Sequence, residues 1–146
     1  MNEVLPTGRL MPISPDECIQ LLASHSIGRV VYTDNALPAI TPVTYALDGH
    51  HIVFRTSEDS RLAAATRDAV VAFEVDDIDR SLHSGWSVVV TGVAADATGS
   101  ALVRASQLNL VPWVDGERHH YVRITPGVIT GRRVAPALVP AARASF

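Results

Sequence analysis

The sequence predicts a mainly β (α+β) fold, an antiparallel Greek-key-like barrel of about six strands with flanking helices. Three observations carry that expectation. Segments rich in β-branched and aromatic residues recur along the chain at strand length. The first three are joined by turns too short for a crossover helix, which excludes a doubly wound parallel sheet and makes neighbours antiparallel. Strands this long with so few turns close into a small, partly open barrel. The 146 residues form one domain, 1–146, with residues 1–12 as an extended arm and 134–146 as a loosely ordered tail.

The elements follow in order. "SPDECIQLLASH" starts a helix, with Ser14 as N-cap, Pro15 in the first turn and Glu17 closing a capping box. Ile19, Leu21 and Leu22 supply its apolar stripe, and Cys18 is read as a small core-side residue. "IGRVVYTD" is a strand. "NALP" turns the chain into a second strand, "AITPVTYAL", whose Pro42 requires an edge or a bulge. Asp48-Gly49 is a hairpin signal before the third strand, "HHIVFRT". A short helix, about 60–67, precedes the strand "AVVAFEV". "DDIDRSLHSG" reads as an acidic loop, and "WSVVVTGVAAD" as a long strand bent or bulged at Gly92. "TGSALVRASQLN" is a helix with Leu102, Ala105 and Leu108 on one side. "HYVRITPGVITGRRV" holds one or two strands broken at Pro126-Gly127.

Composition narrows the function. Hydrophobic residues make up 47% of the chain and charged ones 18%, which excludes a disordered tail. A mean hydropathy of +0.19 leaves apolar surface for an oligomer interface. A formal charge of -3 and a pI of about 6.0 argue against a nucleic-acid partner. All 12 cations are arginine, so neither a Schiff-base lysine nor a P-loop is available. The single Cys18 excludes an intramolecular disulfide and a cysteine-rich metal site. The N-terminus lacks a signal-peptide pattern, and no apolar stretch reaches the roughly 18 residues of a membrane span. The expectation is a cytoplasmic protein with no membrane partner.

The densest polar chemistry lies in "HIVFRTSEDSRLAA". Strand alternation turns Arg55 and Ser57 one way and Phe54 and Thr56 the other. Ser57 or Ser60 caps the following helix, and Arg61 stands in its first turn, against the helix dipole. One reading is an anion site for a phosphate. The other is local pairing of Glu58 and Asp59 with the two arginines, and spacing alone does not separate them. Trp86 and Trp113 each either stack on a planar ligand or close a barrel end. The adjacent pairs His50-His51 and His119-His120 face opposite sides of a strand, so no metal site is expected. No Gly-x-Ser-x-Gly frame and no acid–base dyad can be read, so catalytic residues are unassigned.

The runs Pro-Val-x-Tyr at 42–45, Phe-Arg-Thr-Ser at 54–57, Phe-Glu-Val-Asp at 73–76 and Gly-Trp-Ser-Val at 85–88 resemble the pyridoxamine 5′-phosphate oxidase-like flavin-binding proteins. The resemblance covers about residues 14–133 and is nearest the branch related to nitroimidazole-resistance proteins. It implies a split β-barrel homodimer with FMN between the subunits. Arg55, Thr56, Ser57, Ser60 and Arg61 match the family's phosphate-gripping segment, and Pro42, Val43 and Thr44 match the strand facing the isoalloxazine ring. Trp86 and Ser87 match a segment that reaches the ring from the partner subunit. The implied function is an oxidoreductase acting on a small planar acceptor such as a nitroaromatic or quinone. Relatives that use a deazaflavin, or that bind flavin or haem without turnover, with His119 or His120 involved, define the alternatives. Arg61 stands where family members often carry lysine, and arginine keeps the capacity to grip phosphate.

Overall fold

Alternation of buried and exposed residues along "IGRVVYTD" and "AVVAFEV" dictates strands with one face inward. In the computed structural model, which describes residues 9–57, 59–111 and 120–136, these become β2 (Ile27–Asp34) and β5 (Ala69–Asp79). With them are β1 (Leu10–Pro12), β3 (Leu37–Asp48), β4 (His51–Thr56), β6 (Ser84–Asp96) and β7 (His120–Val134), and the helices α1 (Pro15–Ala23), α2 (Arg61–Ala65) and α3 (Gly99–Gln107).

Strand order is β1-β7-β4-β3-β2-β5-β6, and β6 pairs back onto β7, so six strands close a barrel in which every ladder is antiparallel. β2, β3 and β4 are consecutive hairpin neighbours and β5 returns beside β2, which is the Greek-key arrangement. β1 adds three residues to the far end of β7, where the sequence implied only an extended arm.

One other sequence expectation is corrected and one is sharpened. The acidic run 76–79 is the end of β5, paired from Asp76↔Ser87 to Asp79↔Ser84, and only residues 80–83 turn. An exposed hairpin arm tolerates charge on both faces, so acidity there did not mark a loop. The segment 120–134 is one strand, and the irregularities expected at Gly92 and at Pro126-Gly127 are a single bulge: Thr91 pairs with Val128 and Gly92 with Pro126, which leaves Gly127 as the extra residue on β7. A Cβ on Gly92 would lie 1.9 Å from Thr125 O, so the bulge needs glycine there.

Inside the barrel, Val30, Tyr45, Ile52, Phe54, Phe73, Val90 and Ile124 pack with Cys18 and Leu22 of α1, which plugs one opening. Ser14 caps α1 as its sequence requires, accepting from Glu17 N–H at 3.3 Å. The Glu17 carboxylate reaches Arg133 at 2.8 Å, so the expected capping box is made on one side only. α3 packs outside the barrel, where Ala105 and Leu110 cover Val53. The opposite outer wall is apolar and uncovered: Ile40, Val31 and Ala72 lie in one cross-strand row, and Ile27, Val70, Val93 and Val128 are exposed near it. No helix among the described residues is long and apolar enough to cross a membrane.

Candidate functional site

The barrel has a seam. The β3–β4 ladder runs only from Asp48↔His51 to Tyr45↔Phe54, whereas β3 stays paired to β2 from Ile27↔Thr44 to Asp34↔Leu37. Tyr45 N–H donates to Ser26 O on the β2 side at 2.9 Å. Successive residues of a strand turn their main-chain groups to opposite edges, so Pro42 and Thr44 present theirs to the open side. Proline at 42 therefore removes no ladder bond to β2, which is the edge condition its sequence demanded. Val43 is buried in the core, Thr44 is half-buried and Pro42 is exposed.

Across the seam lies the end of β4. Phe54 and Thr56 are buried and Arg55 and Ser57 are half-buried, as the alternation requires. Ser60 is the N-cap of α2 and accepts from Ala63 N–H at 2.9 Å; its hydroxyl lies 3.1 Å from Thr56 Oγ1. Ser57 donates to Asp59 at 2.5 Å, and that bond holds the Asp59 carboxyl below its ordinary range. The two arginines take separate partners. Arg55 donates to Leu110 O at 3.3 Å and lies 5.6 Å over the Tyr121 ring. Arg61, 85% exposed, reaches Asp34 at 3.8 Å. Among the described residues Arg61 thus pairs across the fold with the end of β2 and not with Asp59 beside it; Glu58 lies outside the described residues.

Trp86 and Ser87 are elsewhere. They pair with Arg133 and Arg132 near the end of β7, whereas Arg55 and Thr56 pair with Tyr121 and His120 at its start. About twelve residues of strand, roughly 40 Å of contour, separate the two regions within one chain. Trp86 packs edge-on against His25, with centroids 4.9 Å apart, and lines a cleft of about 180 Å³ with Ile78, Ser87, Arg132 and Val134. Thr56, Ser57 and Ser60 thus form one cluster beside Pro42–Thr44, Arg55 and Arg61 flank it, and Trp86 with Ser87 stands apart.

Sequence reasoning missed three polar groupings. Behind Thr56, the buried His120 places Nε2 2.9 Å from Asp96 Oδ1, and Asp96 also reaches Arg67 at 3.5 Å. His120 thus has Asp96 as its partner; His119 and Trp113 lie outside the described residues. On the outer wall, Arg29 approaches Glu74 at 3.4 Å and Asp76 at 3.6 Å. Burial first, and then the neighbouring Asp76, push the Glu74 carboxyl up to about 7. Asp48, read as a turn residue, accepts from Arg104 at 3.1 Å and pairs with Arg123 at 3.3 Å. The signal for each lies in strand register, which a linear reading does not supply.

Residues 14–133 match the pyridoxamine 5′-phosphate oxidase family, and the chain belongs to it. An uncharacterized Mycobacterium tuberculosis protein, Rv0080, is 38% identical over 130 residues, 86% of each chain. Among solved structures, the FAD binding protein from Mycobacterium smegmatis superposes with a TM-score of 0.74 and is 37% identical, covering 84% of this chain and 98% of that one. A FAD-binding protein from Mesorhizobium loti shares the fold, with a TM-score of 0.68 at 20% identity over 86% of this chain and 99% of its own. These likenesses agree with a split β-barrel with flanking helices.

Proposed function

We propose that the chain is a cytoplasmic, FMN-binding oxidoreductase that works as a homodimer and reduces a small planar acceptor such as a nitroaromatic or quinone. The observation that carries the reading is the seam. Open main-chain groups of Pro42 and Thr44 face a hydroxyl cluster, Thr56, Ser57 and Ser60, flanked by Arg55 and Arg61. That donor set suits a flavin 5′-phosphate followed by a planar ring. Among the described residues Arg61 is held by one exposed ion pair, worth at most about 1 kcal/mol, so turning to a phosphate costs little.

The homodimer rests on two features. The uncovered apolar wall is of the kind that marks an interface. Trp86 and Ser87 are too far along β7 to meet a ring seated at the seam of their own chain, but a second copy can bring them there. The flavin supplies hydride or electron transfer at its N5 when bound. The chain's own part is to grip the phosphate, lay the ring along β3 and exclude water with Trp86. No side-chain acid–base pair is required.

An absorbance spectrum of the purified protein, with light scattering and chromatography of the released cofactor, tests the reading. FMN eluting with a dimer supports it; FAD or a deazaflavin would correct the cofactor. Arg55→Ala and Arg61→Ala should each weaken FMN binding by about 2 kcal/mol, the scale of a hydrogen bond to a charged group. Unchanged affinity in both variants refutes the phosphate assignment. A bound flavin that no donor reduces would leave a flavin-binding protein without turnover.

A further inference from the structure

We propose that two copies of the chain pack outer wall to outer wall about a two-fold axis that runs along the strands between β2 and β5, and that Arg29 of each copy pairs with the partner's Glu74. The inference rests on the homodimer proposed above and specifies its geometry. Strand register fixes the axis. Pro42, Arg29, Glu74 and Val89 form one cross-strand row over β3, β2, β5 and β6, and Ile40, Val31, Ala72 and Thr91 form the next row on the same face. Val30, Phe73 and Val90, which lie between the two rows on their strands, point into the core. An axis lying in the interface along the β2–β5 boundary sets β2 over the partner's β5 and β3 over the partner's β6. Arg29 then faces the partner's Glu74, and Val31 faces the partner's Ala72. Each contact occurs twice, as a two-fold interface requires.

The same axis completes the seam. Thr44 lies two residues beyond Pro42 on β3, and Ser87 lies two residues beyond Val89 toward the same end of the wall. Within one chain three strand spacings, about 14 Å, separate them. Across the axis Thr44 faces the partner's Ser87. Charge identifies the occupant of the wall as a second copy. Arg29 is 52% exposed, and its ion pairs to Glu74 and Asp76 both make their closest approach at one nitrogen, Nη1. The remaining donors of the fork make no hydrogen bond to a described residue and are placed to reach outward. Packed sheets lie about 10 Å apart, a gap that an arginine and a glutamate span together. An uncharged partner would bury these charges unanswered, whereas a second copy brings a guanidinium and a carboxylate to the matching positions.

Sedimentation equilibrium and native mass spectrometry of the full chain test the arrangement. Arg29→Glu makes the pair wholly acidic and Glu74→Arg makes it wholly basic. Each variant alone should dimerise roughly 100-fold more weakly, the scale of like charges set face to face. Mixed in equal amounts, the two variants should recover a heterodimer. An effect confined to one chain cannot produce that rescue, because each chain still carries its own like-charged pair. Ile40→Arg, at a wall position 64% exposed and so without consequence for the core, should also dissociate the dimer. Val103→Arg, at a position 57% exposed on α3, should leave it intact. Dimers that persist in Arg29→Glu, Glu74→Arg and Ile40→Arg overturn this arrangement and leave the homodimer reading standing. A monomeric unsubstituted chain refutes both. Variants that dissociate alone and do not recombine overturn the reciprocal pairing. A heterodimer that forms but binds no FMN supports the arrangement and refutes the flavin reading alone.

Discussion

Replacing Glu74 by glutamine should raise stability above pH 7 and leave it nearly unchanged near pH 4.5. Glu74 shares one guanidinium, Arg29, with Asp76, so two carboxylates compete for a single cation on a half-buried patch of the outer wall. Its carboxyl rises from 4.5 to about 7, through burial first and Asp76 second, with Arg29 opposing. A carboxyl with a raised native pKa makes the folded state bind more protons than the unfolded chain between those two values. Unfolding free energy therefore falls as pH rises through this window, and the loss is complete above it. At about 1.4 kcal/mol per pH unit the ceiling is about 3 kcal/mol. The side chain is still 25% exposed, and solvent screening brings the expected effect to about 1–2 kcal/mol. Urea unfolding of both proteins at pH 4.5, 6 and 8, at one protein concentration, measures it. The curves should converge at pH 4.5 and separate with increasing pH. A gap that is constant with pH, or that widens on acidification, refutes the linkage argument.

Three further outcomes follow from packing. Gly92→Ala forces a Cβ against Thr125 O at 1.9 Å, and backbone cannot swing aside, so thermal unfolding should show a loss of about 3 kcal/mol. Asp48→Asn removes the carboxylate that answers both Arg104 and the largely buried Arg123; denaturant unfolding should report about 2–3 kcal/mol lost. Cys18 is fully buried, and burial followed by the charge of Glu17 raises its thiol pKa, so a thiol reagent should modify it only as fast as the chain unfolds.

The barrel was legible because its signals are local. β-Branched and aromatic content marked β2 and β5 as strands, alternation separated Phe54 and Thr56 from Arg55 and Ser57 in β4, Asp48-Gly49 announced the hairpin into β4, and Ser14-Pro15 announced α1. What escaped depends on pairing between distant segments. Asp76 to Asp79 looked like loop because acidity opposes a buried strand, yet as an exposed arm they need only the main chain of Ser84 to Ser87 to be β structure. Gly92 and Pro126-Gly127 were each marked as irregular, but nothing local reveals that they lie opposite one another and form a single bulge in a continuous strand. The same limit divided the site. The hydroxyls of Thr56 and Ser60 sit four residues apart and meet as their spacing implies, whereas Arg55 and Arg61 find Leu110 and Asp34 through topology.

Pro42 joins fold to chemistry. A strand edge left open in an otherwise closed barrel invites pairing with another chain, and proteins blunt such edges with proline. Here the proline stands on the side of β3 that faces away from β2, so it costs the barrel nothing while denying a donor to an intruding strand. The neighbouring Thr44 keeps both its N–H and C=O on that side. An edge that refuses a continuous strand but retains isolated main-chain donors and acceptors suits a planar heterocycle with polar atoms along one rim better than a peptide. Substituting Pro42 would restore an edge donor without touching Thr56, Ser57 or Ser60. It would thus bear on what lies along β3 independently of the proposed phosphate grip.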